Sequence, residues 1–256
     1  MPDYTITELN ISSRKLTELP IDIDKYTNLK TLKCWNNQIT SLDNLPNGQL
    51  AGHEDKPLCF PPNLEVLNCG HNKLTSLDNL PPKLEILVCW YNNITSLDNL
   101  PTNLKELNCS WNYINSLDNL PPNLEKLDCR TTKITSLDNL PPNLDVLICQ
   151  YNQITSLDNL PPTLEKLNCD RNKITSLDNL PITLAVLYCG NNQITSLDNI
   201  PPNLKELDCR DNLLTSLDNL PPKLEDLNCI RNPLKYDFEP TLENIRNYNA
   251  SRMLSS

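Results

Sequence analysis

The stretch Leu144-Asp145-Val146-Leu147-Ile148-Cys149-Gln150-Tyr151-Asn152-Gln153-Ile154-Thr155-Ser156-Leu157-Asp158-Asn159-Leu160-Pro161-Pro162 decides the fold, because it is one copy of a recurring unit. Its tail, Ser-Leu-Asp-Asn-(Leu/Ile)-Pro, occurs nine times. Leu64, Leu84, Leu104, Leu124, Leu144, Leu164, Leu184, Leu204 and Leu224 open successive units 20 residues apart. A fixed step of that size marks a solenoid, in which each coil buries its apolar side only against its neighbours. Two-residue alternation turns Leu147 and Cys149 inward and Ile148 outward, as a strand requires. Ile154, Leu157 and Leu160 fill the core from the far side. Prolines fix φ and lack the N–H of a helix interior. The outer side is therefore expected to be extended or polyproline-like, with almost no helix beyond residue 60.

Three other positions of the unit repeat as files. Asn37, Asn72, Asn92, Asn112, Asn152, Asn172, Asn192, Asn212 and Asn232 hold the ninth position. The chain turns inward there, and a carboxamide can both donate to and accept from the backbone groups left over. Thr132 replaces Asn once; its hydroxyl cannot donate twice, so a local weak point is expected there. Ten of eleven cysteines share the sixth position: Cys34, Cys69, Cys89, Cys109, Cys129, Cys149, Cys169, Cys189, Cys209 and Cys229. Neighbours in such a file lie about 4.8 Å apart with parallel side chains, whereas a disulfide needs converging Cβ atoms about 3.8 Å apart. They are expected to be reduced core thiols. One straight file cannot build a tetrahedral zinc site. Each unit also carries one aspartate, too few carboxylates for calcium and expected to accept from nearby turn N–H groups. No metal or cofactor is expected.

The unit Leu144 to Ile154 fits L-x-x-L-x-L-x-x-N-x-L, with Cys in the third core slot. On these residues the chain resembles the leucine-rich-repeat family over about residues 6 to 234. The short unit with its Leu-Pro element is similar to repeats of secreted effectors of enteric bacteria. The combination of core Cys with Ser-Leu-Asp-Asn-Leu-Pro-Pro looks closer to repeat proteins of amoeba-infecting giant viruses. The resemblance implies a β-rich solenoid: a horseshoe or arc of 11 coils with parallel strands on its concave side and a short C-terminal capping helix. It also implies a protein-binding role. Such effectors often carry a ubiquitin-ligase domain; with roughly 20 residues after the last unit, none is expected here.

Composition narrows the function further. The net charge is −10, and the aspartates Asp43, Asp78, Asp98, Asp118, Asp138, Asp158, Asp178, Asp198 and Asp218 of the repeated string account for nine of those charges. Acidity therefore belongs to the scaffold. With no basic stripe, nucleic acid is not expected as a ligand. No apolar run approaches the ~18 residues of a membrane span, and Met1-Pro2-Asp3-Tyr4 does not begin a secretory signal. The expectation is a soluble chain in an intracellular, reducing compartment, the host cytoplasm for a viral or injected protein.

One domain, 1–256, is expected. Residues 1–28 form an atypical first repeat, in which Ile21 to Tyr26 make a short helical turn. Residues 29–234 carry the repeats. The step into the Leu64 unit is 35 residues, so 15 are added, read as an exposed insertion at 46–60 that contains His53 and Cys59. These two, with His71, are the only hint of a metal or catalytic group. Pro233 interrupts the pattern, and residues 235–256 read as a helical cap in which Leu242, Ile245 and Tyr248 or Met253 cover the last coil.

Function is sought in what the unit leaves variable. Trp35 and Trp90 occupy the seventh position, Tyr91, Trp111 and Tyr151 the eighth, and Tyr188 the fifth. Ile86, Val88, Val146, Ile148 and Val186 fall at outward strand positions. Charged units, including Arg130, Arg171 and Arg210, intervene. Aromatic residues anchor protein interfaces, and mixed-sign charge suits partner discrimination. The expectation is a non-enzymatic, monomeric module that binds a protein partner on an aromatic-rich concave face. Its contact residues would be Trp35, Ile86, Val88, Trp90, Tyr91, Trp111, Arg130, Ile148, Tyr151, Arg171, Tyr188 and Arg210. The alternative is a structural component of an assembly or virion. No nucleophile, base and orienting group converge in the sequence, so no catalytic residue is expected.

Overall fold

The computed structural model describes residues 2–42 and 61–253, and the insertion 46–60 with His53 and Cys59 lies outside them. Two compact units divide the chain after Thr132. The first holds strands β1 (Glu8–Asn10), β2 (Thr31–Lys33), β3 (Val66–Asn68), β4 (Ile86–Val88), β5 (Glu106–Asn108) and β6 (Lys126–Asp128). They pair parallel in chain order, with Leu9, Leu32, Leu67, Leu87, Leu107 and Leu127 in register. A 3-10 turn at Ile23–Lys25 lies in the expected place. The second unit holds β7 (Val146–Ile148), β8 (Lys166–Asn168), β9 (Val186–Tyr188), β10 (Glu206–Asp208) and β11 (Asp226–Asn228). These pair the same way through Leu147, Leu167, Leu187, Leu207 and Leu227. Helix α1 (Leu242–Met253) follows, and no other α-helix occurs among the described residues.

Each coil has the same anatomy because each has the same inward residues. In the coil of β4, Leu84, Leu87, Cys89, Ile94 and Leu97 are all buried. Each such leucine contributes about 1.5–3 kcal/mol relative to an exposed one. The ten file cysteines are free and buried, and burial pushes the Cys34 thiol up to about 12. They pack in the core as small hydrophobes.

The asparagine file closes the turn after each strand. The Asn112 amide nitrogen donates to Cys89 O and Cys109 O, both at 3.0 Å, while its carbonyl oxygen accepts from Ile94 N at 3.0 Å. Asn92, Asn172, Asn192 and Asn212 repeat this arrangement. Thr132 donates its one hydroxyl proton to Cys129 O at 2.9 Å.

On the outer side Leu104 N bonds to Pro101 O at 3.1 Å, a turn repeated at Pro61, Pro121 and the later units. The aspartates differ from expectation. Asp98 accepts from the Ser96 hydroxyl at 2.6 Å and from the amide of Asn119, in the next coil, at 3.0 Å. The nearby turn N–H, that of Asp98 itself, goes instead to Ser96 Oγ at 3.0 Å. A serine two residues earlier competes for the turn donor, which frees the carboxylate to bridge coils. In the cap, Thr241 Oγ1 accepts from Asn244 N at 3.2 Å, Ile245 is fully buried, and Tyr248 meets Tyr236 and Phe238.

Candidate partner-binding surface

In each unit the outward strand positions form a mixed face. Ile86, Val88, Val146, Ile148, Val186 and Tyr188 are half-buried there, covered along the ladder by their neighbours. Between them run ion pairs from coil to coil, such as Lys105–Glu85 at 3.0 Å and Lys126–Glu106 at 2.6 Å. Both partners of each are solvent-exposed, so they contribute little to stability. The Tyr188 hydroxyl donates to Glu206 Oε1 at 2.5 Å, which holds its phenol up to about 12.

The eighth position lies beyond the strand. The strand ends at Val88, and Tyr91 follows in a turn with φ of 53°. Trp111 (56°), Tyr151 (54°) and Arg171 (55°) share that left-handed conformation, as do Asn36, His71, Thr131, Asn191, Asp211 and Arg231. The next coil enforces it: Tyr91 N donates to Ser110 O, Trp111 N to Arg130 O and Arg171 N to Gly190 O, each at 2.9 Å. Left-handed backbone costs a bulky residue about 1–2 kcal/mol and suits asparagine better. Asn36 and Asn191 show the cheaper choice within this chain.

Within each unit the eighth-position residues therefore form a rim that follows the strand ends. In the first unit His71 stacks on Tyr91 with centroids 4.9 Å apart, and Tyr91 lies 6.3 Å from Trp111. In the second unit the Arg171 guanidinium sits over the Tyr151 ring at 4.9 Å, a cation–π contact. Tyr91, Trp111 and Tyr151 are each about half exposed, at 51%, 52% and 52%.

At the seventh position the partners are internal. The Trp90 indole leans over Gly70, where an added Cβ would lie 2.4 Å from its Nε1, so Gly70 is the space the ring occupies. Trp90 also meets His71 at 5.8 Å and Tyr91 at 6.3 Å. Trp35 is more open, at 38%. Arg130 grips both Asp128 oxygens through Nε at 3.0 Å. Arg210 is shared between Asp208 at 2.7 Å and Asp170 at 3.3 Å. Burial pushes the Asp170 carboxyl up, and its bond from Gly190 N at 2.7 Å opposes that shift.

The structure thus brings Trp90, Tyr91 and Trp111 together and keeps Trp35 apart from them. It places Ile86, Val88, Ile148 and Tyr188 on the strand face, while Arg130 and Arg210 are already paired within the chain. Two residues outside the sequence-derived set join the surface. His71 belongs to the stack, and Tyr113, at the tenth position, is 51% exposed. The signal for His71 was its eighth-position spacing, hidden because histidine first suggests a ligand. Among the described residues no group of three or more His, Cys, Asp or Glu is placed to hold a metal, and no helix is long and apolar enough to cross a membrane.

Residues 62–102 and 182–222 match the family model for leucine-rich repeats in two copies. Among solved structures, YopM from Yersinia enterocolitica WA-314 aligns with a TM-score of 0.78 and 35% identity, over 94% of this chain and 50% of that one. YopM from Yersinia pestis, a leucine-rich effector protein, gives 0.74 and 31%, over 89% and 60%. The internalin InlF from Listeria monocytogenes gives 0.76 and 26%, over 90% and 68%. The chain thus spans about half to two thirds of the length of these proteins. No curated protein sequence matches it. The fold is that of leucine-rich repeats, generally a non-enzymatic scaffold for binding proteins, and it is similar to the repeat regions of bacterial effectors and internalins.

Proposed function

We propose that this leucine-rich-repeat chain is a recognition module that holds a protein partner against the outward strand face and the aromatic rim. One observation carries the reading. Tyr91, Trp111 and Tyr151 stand half exposed at a left-handed backbone position where the same chain elsewhere uses asparagine. Strained conformations persist where the side chain serves a use that offsets their cost, and exposed tyrosine and tryptophan are the usual anchors of protein interfaces. In the first unit Trp35, Ile86 and Val88 extend the surface, and in the second Ile148 and Arg171 do. Arg130, Arg210 and Tyr188, braced by their own carboxylates, offer fixed polar groups at its edge.

Similarity to YopM supports a role for the chain as a pathogen protein acting on host proteins, of bacterial or viral origin. The file of free thiols suits a reducing compartment such as the host cytoplasm. The module acts as a monomer, which sedimentation of the purified chain checks; open-ended association would favour the assembly component instead.

The decisive experiment replaces Tyr91, Trp111 and Tyr151 together by asparagine. Backbone strain is relieved while about 0.5–1.5 kcal/mol of ring contact per pair is lost, so the melting temperature should hardly move. Proteins captured from host-cell lysate by the parent chain and identified by mass spectrometry are purified and titrated against both forms. Affinity should fall at least tenfold. Unchanged affinity, or a melting temperature lowered in step with it, would overturn the reading.

A further inference from the structure

At the rim of the first unit most backbone carbonyls are already engaged, while two indole donors are not. The carbonyls behind it are taken by the neighbouring coil: Gly70 O by Asn36 N at 2.9 Å, Trp90 O by His71 N at 2.7 Å, Ser110 O by Tyr91 N at 2.9 Å and Arg130 O by Trp111 N at 2.9 Å. The indole N–H groups of Trp90 and Trp111 have no hydrogen-bond partner among the described residues. Trp90 Nε1 is not shut away from water. Around these donors stand the rings of His71, Tyr91 and Trp111, in sequence at 4.9 and 6.3 Å, with Trp90 at 5.8 Å from His71.

The complement of such a surface is a segment rich in carbonyls and flat apolar rings that brings few N–H groups of its own. Proline has no backbone N–H, and its ring packs on aromatic faces. A polyproline II segment holds its carbonyls outward, and its conformation is set before binding, so little entropy is lost. Aromatic-lined surfaces with indole donors are a recurring means of reading such segments. An ordinary extended strand would bring a row of N–H groups, for which Trp111 O is the one carbonyl of this row with no backbone bond among the described residues.

We propose that Trp90, Tyr91 and Trp111, with His71 closing the row, bind a proline-rich polyproline II segment of the protein partner. This rests on the protein-binding reading given above and adds the partner's chemistry.

The test titrates a proline decapeptide into the full chain and follows the three indole N–H resonances by NMR, with a Gly-Ser decapeptide as control. The Trp90 and Trp111 signals should move and that of Trp35, which has no ring contact among the described residues, should stay. Trp111→Phe keeps a ring in the row but removes the donor and part of the indole's area, so it should weaken binding about two- to tenfold with an unchanged melting temperature. The inference is overturned if polyproline leaves both resonances in place, or if Trp111→Phe binds as tightly as the parent. It is also overturned if peptides selected from a random library move the same resonances but carry no proline. That last result leaves the protein-binding reading standing, whereas failure of any library peptide or captured protein to engage the rim removes both.

Discussion

Thr132 is the one break in the asparagine file, and exchanging it with a regular coil measures what the file contributes. In the coil of Asn112, the buried Ile94 N–H relies on the side-chain oxygen and two carbonyls rely on the side-chain nitrogen. Asn112→Thr keeps one donated bond, as Thr132 does to Cys129 O. It removes the other and strands or weakens the bond from Ile94. A buried donor left without a partner costs about 1–3 kcal/mol, and each lost bond about 0.5–1.5 kcal/mol. The expected loss is about 2–4 kcal/mol. The reverse change, Thr132→Asn, adds a second donor and replaces the hydroxyl acceptor by a carbonyl, offset by the cost of ordering a longer side chain. Its expected gain is about 1 kcal/mol. Urea unfolding followed by circular dichroism reads both, and thermal melts should shift by about 2–4 °C per kcal/mol. The slope of each urea transition must match the parent for the comparison to hold. If Asn112→Thr changes stability by less than about 0.5 kcal/mol, or Thr132→Asn destabilises, the file is not a structural element and the argument fails.

Gly70→Ala should displace the Trp90 indole, since the new methyl would lie within 2.4 Å of its ring; a change in tryptophan emission with the fold retained is expected, and an unaltered spectrum would contradict the packing. Iodoacetamide at pH 8 should leave the ten file cysteines unmodified in the native chain, because all ten are buried and burial raises thiols such as Cys34 and Cys229. Peptide mapping should find Cys229, in the terminal coil, labelled first when mild urea is added, and early labelling of Cys109 would refute this. Stability should fall as pH is lowered through about 4. Asp98, Asp158 and Asp178 are held below the ordinary 3.8, first by their serine hydroxyls and then by the next coil's asparagine amides. A depressed folded-state value gives stability that is present above the unfolded value and lost as pH falls through the folded one. Asp170, raised chiefly by burial, works in the opposite direction. Ser96→Ala, Ser156→Ala and Ser176→Ala combined should flatten the acid limb of urea midpoint against pH, and an unaltered limb would refute the assignment.

The periodic residues were legible because they make the same contact in every coil. Leu87, Cys89, Ile94 and Asn92 can be placed from their spacing alone, since inward or outward direction follows from strand alternation and a recurring turn. The capping helix was legible from Pro240 and the apolar spacing of Leu242 and Ile245. The rim was only half legible. That Tyr91 and Trp111 vary from coil to coil shows in the sequence; that they follow the strand on left-handed backbone does not.

The amino-acid order by itself determined the coil, its buried residues, the reduced thiol file and the asparagine file, because each depends on contacts repeated every 20 residues. Only the tertiary structure decided that the eighth position is left-handed and that His71 joins the stack. It alone showed Trp90 filling the space over Gly70, Arg130 and Arg210 held by their own aspartates, and the outer aspartates bridging to the next coil's asparagine. Each of these depends on what the adjacent coil places opposite a given side chain, at a distance set by strand spacing across the sheet, a direction at right angles to the order in which residues are written.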